Sequence, residues 1–200
     1  MSYWVFKECA GELCVIISVL INFPINEGCV PSVWKHAIIT PAPKVQLVTN
    51  VSDLRLISVT PVFSRITERL VMRDFFLPVI PDECLRDQFA YKITGSTTSA
   101  LVYLTDTVGR LLESNRYVRC VMIDFSKAFD TVNHEVLVRK LQQFALPGNI
   151  LKWIASFLLD RSLSTKFNGE CSLPINITRS IVQACKDQLL DRMHFYAPAP

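Results

Sequence analysis

YVRCVMIDFSKAFDTVNHEVLVRKL, residues 117–141, decides how this chain is read. Its first nine residues, Tyr117–Phe125, form an apolar, β-rich run bounded by Ser-Asn and Ser-Lys, the profile of a strand buried inside a sheet. Asp124 stands at the end of that run, where an ionised carboxylate is costly to bury unless a cation or hydrogen-bond donors compensate it. Two readings fit an acid so placed. It caps a helix or pairs with a base, or it meets a hard cation, since Mg²⁺ takes one or two carboxylates together with water and phosphate oxygens. Asp130 and Asn133 read as turn or capping residues ahead of a helix over 134–145, with Val136, Leu137, Leu141 and Phe144 on one face. The Pro147-Gly148 break separates it from a second helix over 149–159, lined by Ile150, Leu151, Ile154, Phe157 and Leu158.

Beyond these helices, Leu163–Phe167 and Glu170–Ile175 flank Asn168-Gly169, which supplies the two positive φ angles of a type I′ hairpin turn. Pro174 confines the second strand to an edge or an end. Upstream of Tyr117, Leu101, Leu104, Val108, Leu111 and Leu112 mark an amphipathic helix capped by Thr97 or Thr98. LRLISV (54–59) is strand-like and leads into a helix from Pro61 with Phe63, Ile66 and Leu70 as its apolar face. Ala37–Thr40 predicts a short strand that leaves into a proline-stiffened loop, with Lys44 just past it. Residues 3–23 predict a one-faced helix ending before Pro24, with Trp4, Cys9, Leu13, Ile16, Ile17 and Leu20 facing a partner.

Composition sets the outer limits. With 200 residues, 50% hydrophobic and 20% charged, the chain carries the apolar material of one ordinary folded domain and is neither a disordered segment nor a multi-domain machine. The net charge of +3 is concentrated: Lys35, Lys44, Arg55, Arg65, Arg69 and Arg73 stand against only Asp53 and Glu68 between positions 35 and 73. Arg65, Arg69 and Arg73 recur at four-residue steps, a spacing that suits a solvated face paired with Glu68 or Asp74 as well as contact with nucleic acid. Seven cysteines without a Cys-x-x-Cys pair are expected to be reduced, intracellular and mostly buried. The apolar run Leu13–Phe23 is expected to be a core helix and not a membrane anchor, and no targeting segment is expected.

The segment IDFSKAFDTVNHEVLVRKL (123–141) resembles motif A of the reverse transcriptases of non-LTR, LINE-like retrotransposons, with the motif's Asp at Asp124. WKHAIITPAPKV (34–45) is similar to the first fingers motif of that family and DLRLISVTPVFSRITERLVMRD (53–74) to its second. DQFAYKITGSTTSALVYLTDTV (87–108) resembles the block before motif A, while FLLDRSLSTKFNG and LPINITRSIVQ resemble the run into motif B. The resemblance covers about residues 3–183. It implies an α+β chain with the layout of a right-hand polymerase, incomplete: fingers over 1–110, a partial palm over 111–183 and a divergent tail over 184–200.

The implied activity is RNA-directed DNA polymerisation, a nucleotidyl transfer run by two Mg²⁺ ions. Its implied partners are an RNA template, a DNA primer and deoxynucleoside triphosphates, with no membrane. Residue by residue, the resemblance makes Asp124 the catalytic metal ligand, aided by the Phe125 carbonyl. Phe129 takes the position beneath the incoming sugar, where a ring excludes a 2′-hydroxyl by clash. Arg55 falls on the fingers Arg that contacts the triphosphate, Lys44 on a second phosphate contact, and Gln183 on the substrate side of the run into motif B. A guanidinium suits phosphate oxygens bidentately, whereas Lys acts as a point charge.

Two departures matter. Leu56 follows Arg55 where the family usually has Pro, which leaves that turn less rigid. No Asp-Asp dipeptide occurs among the 200 residues, and the stretch after Gln183 contains no glycine. Phosphoryl transfer by two metals needs a carboxylate cluster, so this chain alone is expected not to synthesise DNA. The alternative function is a catalytically dead, nucleic-acid-binding remnant. A palm strand without its neighbours is also expected to leave Tyr117–Phe125 with an unpaired edge and an uncovered face.

Overall fold

The computed structural model describes residues 8–81, 83, 86–90, 95–125 and 131–177. Helix and sheet are mixed: helix α1 (Ala10–Glu27), strands β1 (His36–Pro43) and β2 (Leu54–Val59), helices α2 (Val62–Val71), α3 (Thr97–Ser114), α4 (His134–Leu141) and α5 (Gly148–Leu158), then strands β3 (Arg161–Phe167), β4 (Glu170–Cys171) and β5 (Ile175–Ile177). β1 is the hub of the sheet. It runs antiparallel to β2, with Ile38 opposite Val59 and Pro43 opposite Leu54, and parallel to β3, with His36 opposite Ser162 and Ile39 opposite Thr165. Pairing with β3 stops at Ile39, so Pro41 and Pro43 lie where one edge of β1 is already free and their missing N–H groups leave no gap in the β3 ladder. Pairing with β2 therefore carries β1 past the predicted end at Thr40, through Pro43.

The hairpin following α5 forms as its sequence dictates. Asn168 and Gly169 have φ of 49° and 87°, the pair of positive angles of a type I′ turn. Pro174 falls in the gap between β4 and β5, where the Ser172 hydroxyl accepts from the Thr165 N–H at 2.9 Å in place of a backbone carbonyl.

The core gathers around α5. Ile150, Trp153, Ile154, Phe157 and Leu158 recur at three- and four-residue steps and are essentially solvent-free. Trp153 stacks on Phe157 with ring centroids 5.2 Å apart, and the buried Arg161 guanidinium lies 4.6 Å over the Phe157 ring while donating to the Phe157 carbonyl at 2.9 Å. Against α5 pack α4, through Leu137 and Leu141, and α1, through Ile21, Pro24 and Ile25. Gly28 closes α1 at φ 68°. A Cβ there would stand 2.8 Å from the Lys152 Cβ and 2.9 Å from the Asn149 carbonyl, so glycine meets both the left-handed geometry and the close approach of α5.

Several expectations are corrected. α1 does not stop before Pro24 but runs through it to Glu27, because a proline removes one N–H and the packing of Pro24 and Ile25 outweighs that loss. Its buried face is Ile21, Pro24 and Ile25, with Ile17 partly covered; Ile16 and Leu20 point outward. Residues 3–7 of the predicted helix lie outside the described residues. α1 is long and apolar enough to cross a membrane by length and composition, and only 17% of that stretch is buried, so it is less of a core helix than expected. In α2 the fully buried positions are Ser64, Thr67, Glu68 and Val71, while Phe63 and Leu70 pack at the margin and Ile66 is exposed. Ser96, and not Thr97 or Thr98, caps α3, its hydroxyl accepting from the Ser99 N–H at 3.0 Å. Asn133 caps α4 through the N–H groups of Glu135 and Val136, whereas Asp130 lies outside the described residues. Cys9, Cys14, Cys29, Cys120 and Cys171 are free and exposed, not buried.

The largest correction concerns 117–125. This segment pairs with no strand among the described residues, and Val121, Met122 and Ile123 are 76–84% exposed. β-propensity describes how well a side chain suits a pleated, half-buried surface; without a neighbouring strand to complete the ladder it yields an unpaired segment.

Candidate nucleotide and metal site

The tip of the β1–β2 hairpin brings two predicted residues together. Arg55 stands opposite Ala42, and the pairing continues one step past the strands, where the Lys44 N–H donates to the Asp53 carbonyl at 2.8 Å. This register places Lys44 and Arg55 on the same face at diagonal positions, about 7–8 Å apart by the usual spacing of such neighbours. It is the outward face, which also carries the exposed Ile38, Ile57 and Val59. Arg55 is exposed and its guanidinium makes no hydrogen bond or ion pair among the described residues. Lys44 is held: its ammonium donates to the Ser52 carbonyl at 2.8 Å.

What arranges that carbonyl is Asp53. Its Oδ2 accepts from the Asn50 N–H at 2.9 Å, the Thr49 N–H at 3.0 Å and the Thr49 hydroxyl at 3.2 Å, while its own N–H returns to the Asn50 carbonyl at 3.0 Å. The short 3₁₀ turn Val51–Asp53 is thereby fixed. Donation from the Asn50 and then the Thr49 backbone, with a smaller contribution from the Lys44 charge, holds the Asp53 carboxyl below its ordinary range. A group shifted this way contributes to turn stability above the ordinary carboxylate pKa, and the contribution disappears as pH falls through the lowered value. Sequence reasoning did not single out Asp53, although the Asx-rich run TNVSD, with acceptor side chains three residues apart, carried the signal.

The remaining candidates are less connected. Asp124 and Phe125 are exposed neighbours in the unpaired 117–125 segment, and Asp124 makes no ion pair among the described residues. No group of three or more His, Cys, Asp or Glu side chains among the described residues is placed to hold a metal ion. Asp124 alone does not make a metal centre. Phe129 and Gln183 lie outside the described residues. The basic stretch is largely solvent-facing: Lys44, Arg55, Arg65, Arg69 and Arg73 are exposed, with Arg73 paired to Asp74.

Comparison with known proteins places this geometry. Residues 42–185 match the family model described as reverse transcriptase (RNA-dependent DNA polymerase). The chain is 25% identical to a probable RNA-directed DNA polymerase from transposon BS of Drosophila melanogaster, over 79% of this chain and 18% of that protein. It is 28% identical to a retrovirus-related Pol polyprotein from the type-1 retrotransposable element R2 of Popillia japonica, over 78% of this chain and 22% of that protein. The R2 polyprotein of Bradysia coprophila is 23% identical over 78% of the chain and 18% of its own length. The chain thus spans about a fifth of the length of these relatives. A mixed helix-and-sheet chain with a basic two-stranded tip fits a partial fingers and palm, and divalent metal, nucleic acid template and nucleotide substrates are general to such proteins. With the match running from β1 to beyond β5, this chain belongs to the reverse transcriptase family, on the non-LTR retrotransposon side.

Proposed function

We propose that this chain is a nucleotide- and nucleic-acid-binding portion of a reverse transcriptase, in which residues 1–110 act as fingers, 111–183 as a partial palm, and 184–200 form a tail outside the domain. Arg55 and Lys44 grip the triphosphate of an incoming deoxynucleotide. Asp124, with the Phe125 carbonyl, supplies one part of a Mg²⁺ site, Phe129 lies under the sugar, and Gln183 lies on the substrate side. The observation that carries the reading is an exposed Arg55 guanidinium with no partner among the described residues, diagonal to a held Lys44 at the hairpin tip. An exposed planar fork is suited to phosphate oxygens. The same chain does no chemistry by itself, because charge neutralisation at the phosphoryl group needs more than one carboxylate.

Fluorescence anisotropy of the purified chain with an RNA template annealed to a DNA primer tests the binding half. If three of the exposed cations each neutralise one phosphate, affinity is expected to fall about 40-fold between about 50 and 200 mM salt. Binding that is absent, or indifferent to salt, contradicts the proposal.

A further inference from the structure

We propose that Asp53 is the positioning residue of the hairpin tip, acting through the Ser52 carbonyl to fix the Lys44 ammonium at the end of the hairpin that carries Arg55. The inference rests on the reading of Lys44 and Arg55 as triphosphate contacts. Residues 44–52 are exposed, Leu47 and Val51 78–79% so, and Asp53 is half-buried but belongs to no core cluster, so no core packing sets the shape of the tip. Polar bonds set it instead. The three donations into the Asp53 carboxylate hold the turn at residues 49–53, the turn orients the Ser52 carbonyl, and that carbonyl receives the Lys44 ammonium at 2.8 Å. The Lys44 N–H, donating to the Asp53 carbonyl, ties the same two residues through the backbone.

Without this clasp a lysine on a four-carbon stem samples many rotamers, and each must be given up when it meets an anion. A carboxylate near a triphosphate site would on charge grounds alone weaken binding. Position offsets that effect: the charge is absorbed by three donors and by Lys44, and what remains is a lysine held in place before the ligand arrives. Lys44 is the titratable group whose charge bears on Asp53.

The test is titration of the purified 200-residue chain with a fluorescent deoxynucleoside triphosphate and Mg²⁺, together with a thermal melt of each variant. Asp53→Ala is expected to weaken binding about three- to ten-fold; its contribution is to a solvent-facing turn that opens locally while the core stays folded, so the melting temperature is expected to stay within about 1 °C of the parent. Asp53→Asn, whose amide oxygen can accept the same donors, is expected to recover most of the affinity. In a Lys44→Ala background, Asp53→Ala is expected to add no further loss, since the two act in series. The inference is overturned if Asp53→Ala and Asp53→Asn both bind as tightly as the parent or more tightly, which marks the carboxylate as a mere repulsive charge. It is equally overturned if the loss persists undiminished without Lys44, or tracks a fall in melting temperature. Arg55→Ala separates this from the underlying reading. Binding untouched by Arg55→Ala refutes the nucleotide assignment itself, whereas binding lost in Arg55→Ala and intact in Asp53→Ala refutes only the clasp.

Discussion

Trp153→Ala is expected to lower the unfolding free energy by about 3–5 kcal/mol, a large share of the roughly 5–15 kcal/mol that a domain possesses. Trp153 is fully buried at the centre of α5, stacked on Phe157, over whose ring the buried Arg161 guanidinium lies. Removing the indole empties the space between α5 and its neighbours and withdraws support from the ring beneath Arg161. The side chains there interlock, and a gap of that size is not refilled by relaxation. Trp153→Phe is expected to cost far less. It keeps a ring against Phe157, and it discards an indole N–H that is buried without a hydrogen-bond partner among the described residues. Urea denaturation of the two variants checks both expectations, and equal losses would show that the site depends on bulk alone.

Arg55→Ala carries the largest expected functional effect. A hydrogen bond to a charged group contributes about 1.5–3 kcal/mol, so loss of the guanidinium should weaken deoxynucleoside triphosphate binding at least ten-fold. Arg55→Lys is expected to recover only part of this, because an ammonium lacks the fork that engages two oxygens at once. Arg65→Ala, one element later on the exposed side of α2, serves as the control. It is expected to change triphosphate affinity less than about two-fold, as a diffuse surface charge does. Equal losses in the two variants would replace a defined contact with general electrostatic attraction.

The parts that local chemistry dictates were legible beforehand. Asn168-Gly169 fixed a turn by its φ requirement, LRLISV formed β2 over its expected span, and Asn133 capped α4. Faces that depend on a distant partner were not legible. Nothing near Ile21 or Ile25 announces that α5 will cover them in preference to Ile16 and Leu20, and nothing near Ser64 and Thr67 marks them as the buried side of α2. The segment 117–125 falls between the two: its uncovered face was expected from the missing neighbours, but its residue types suit a buried strand, and a strand exists only with a partner, which the described residues do not provide. At the site, Arg55 and Lys44 were found through the resemblance. Asp53 emerged from the three bonds it accepts, an arrangement that residue type alone does not reveal.

The decisive measurement is primer extension by the purified chain, with RNA template, DNA primer, deoxynucleotides and Mg²⁺. The chain is expected to bind the primer–template and to leave the primer at its starting length, because no further carboxylates join Asp124 among the described residues and phosphoryl transfer by two metals requires them. Template-dependent extension that disappears in Asp124→Ala would contradict it.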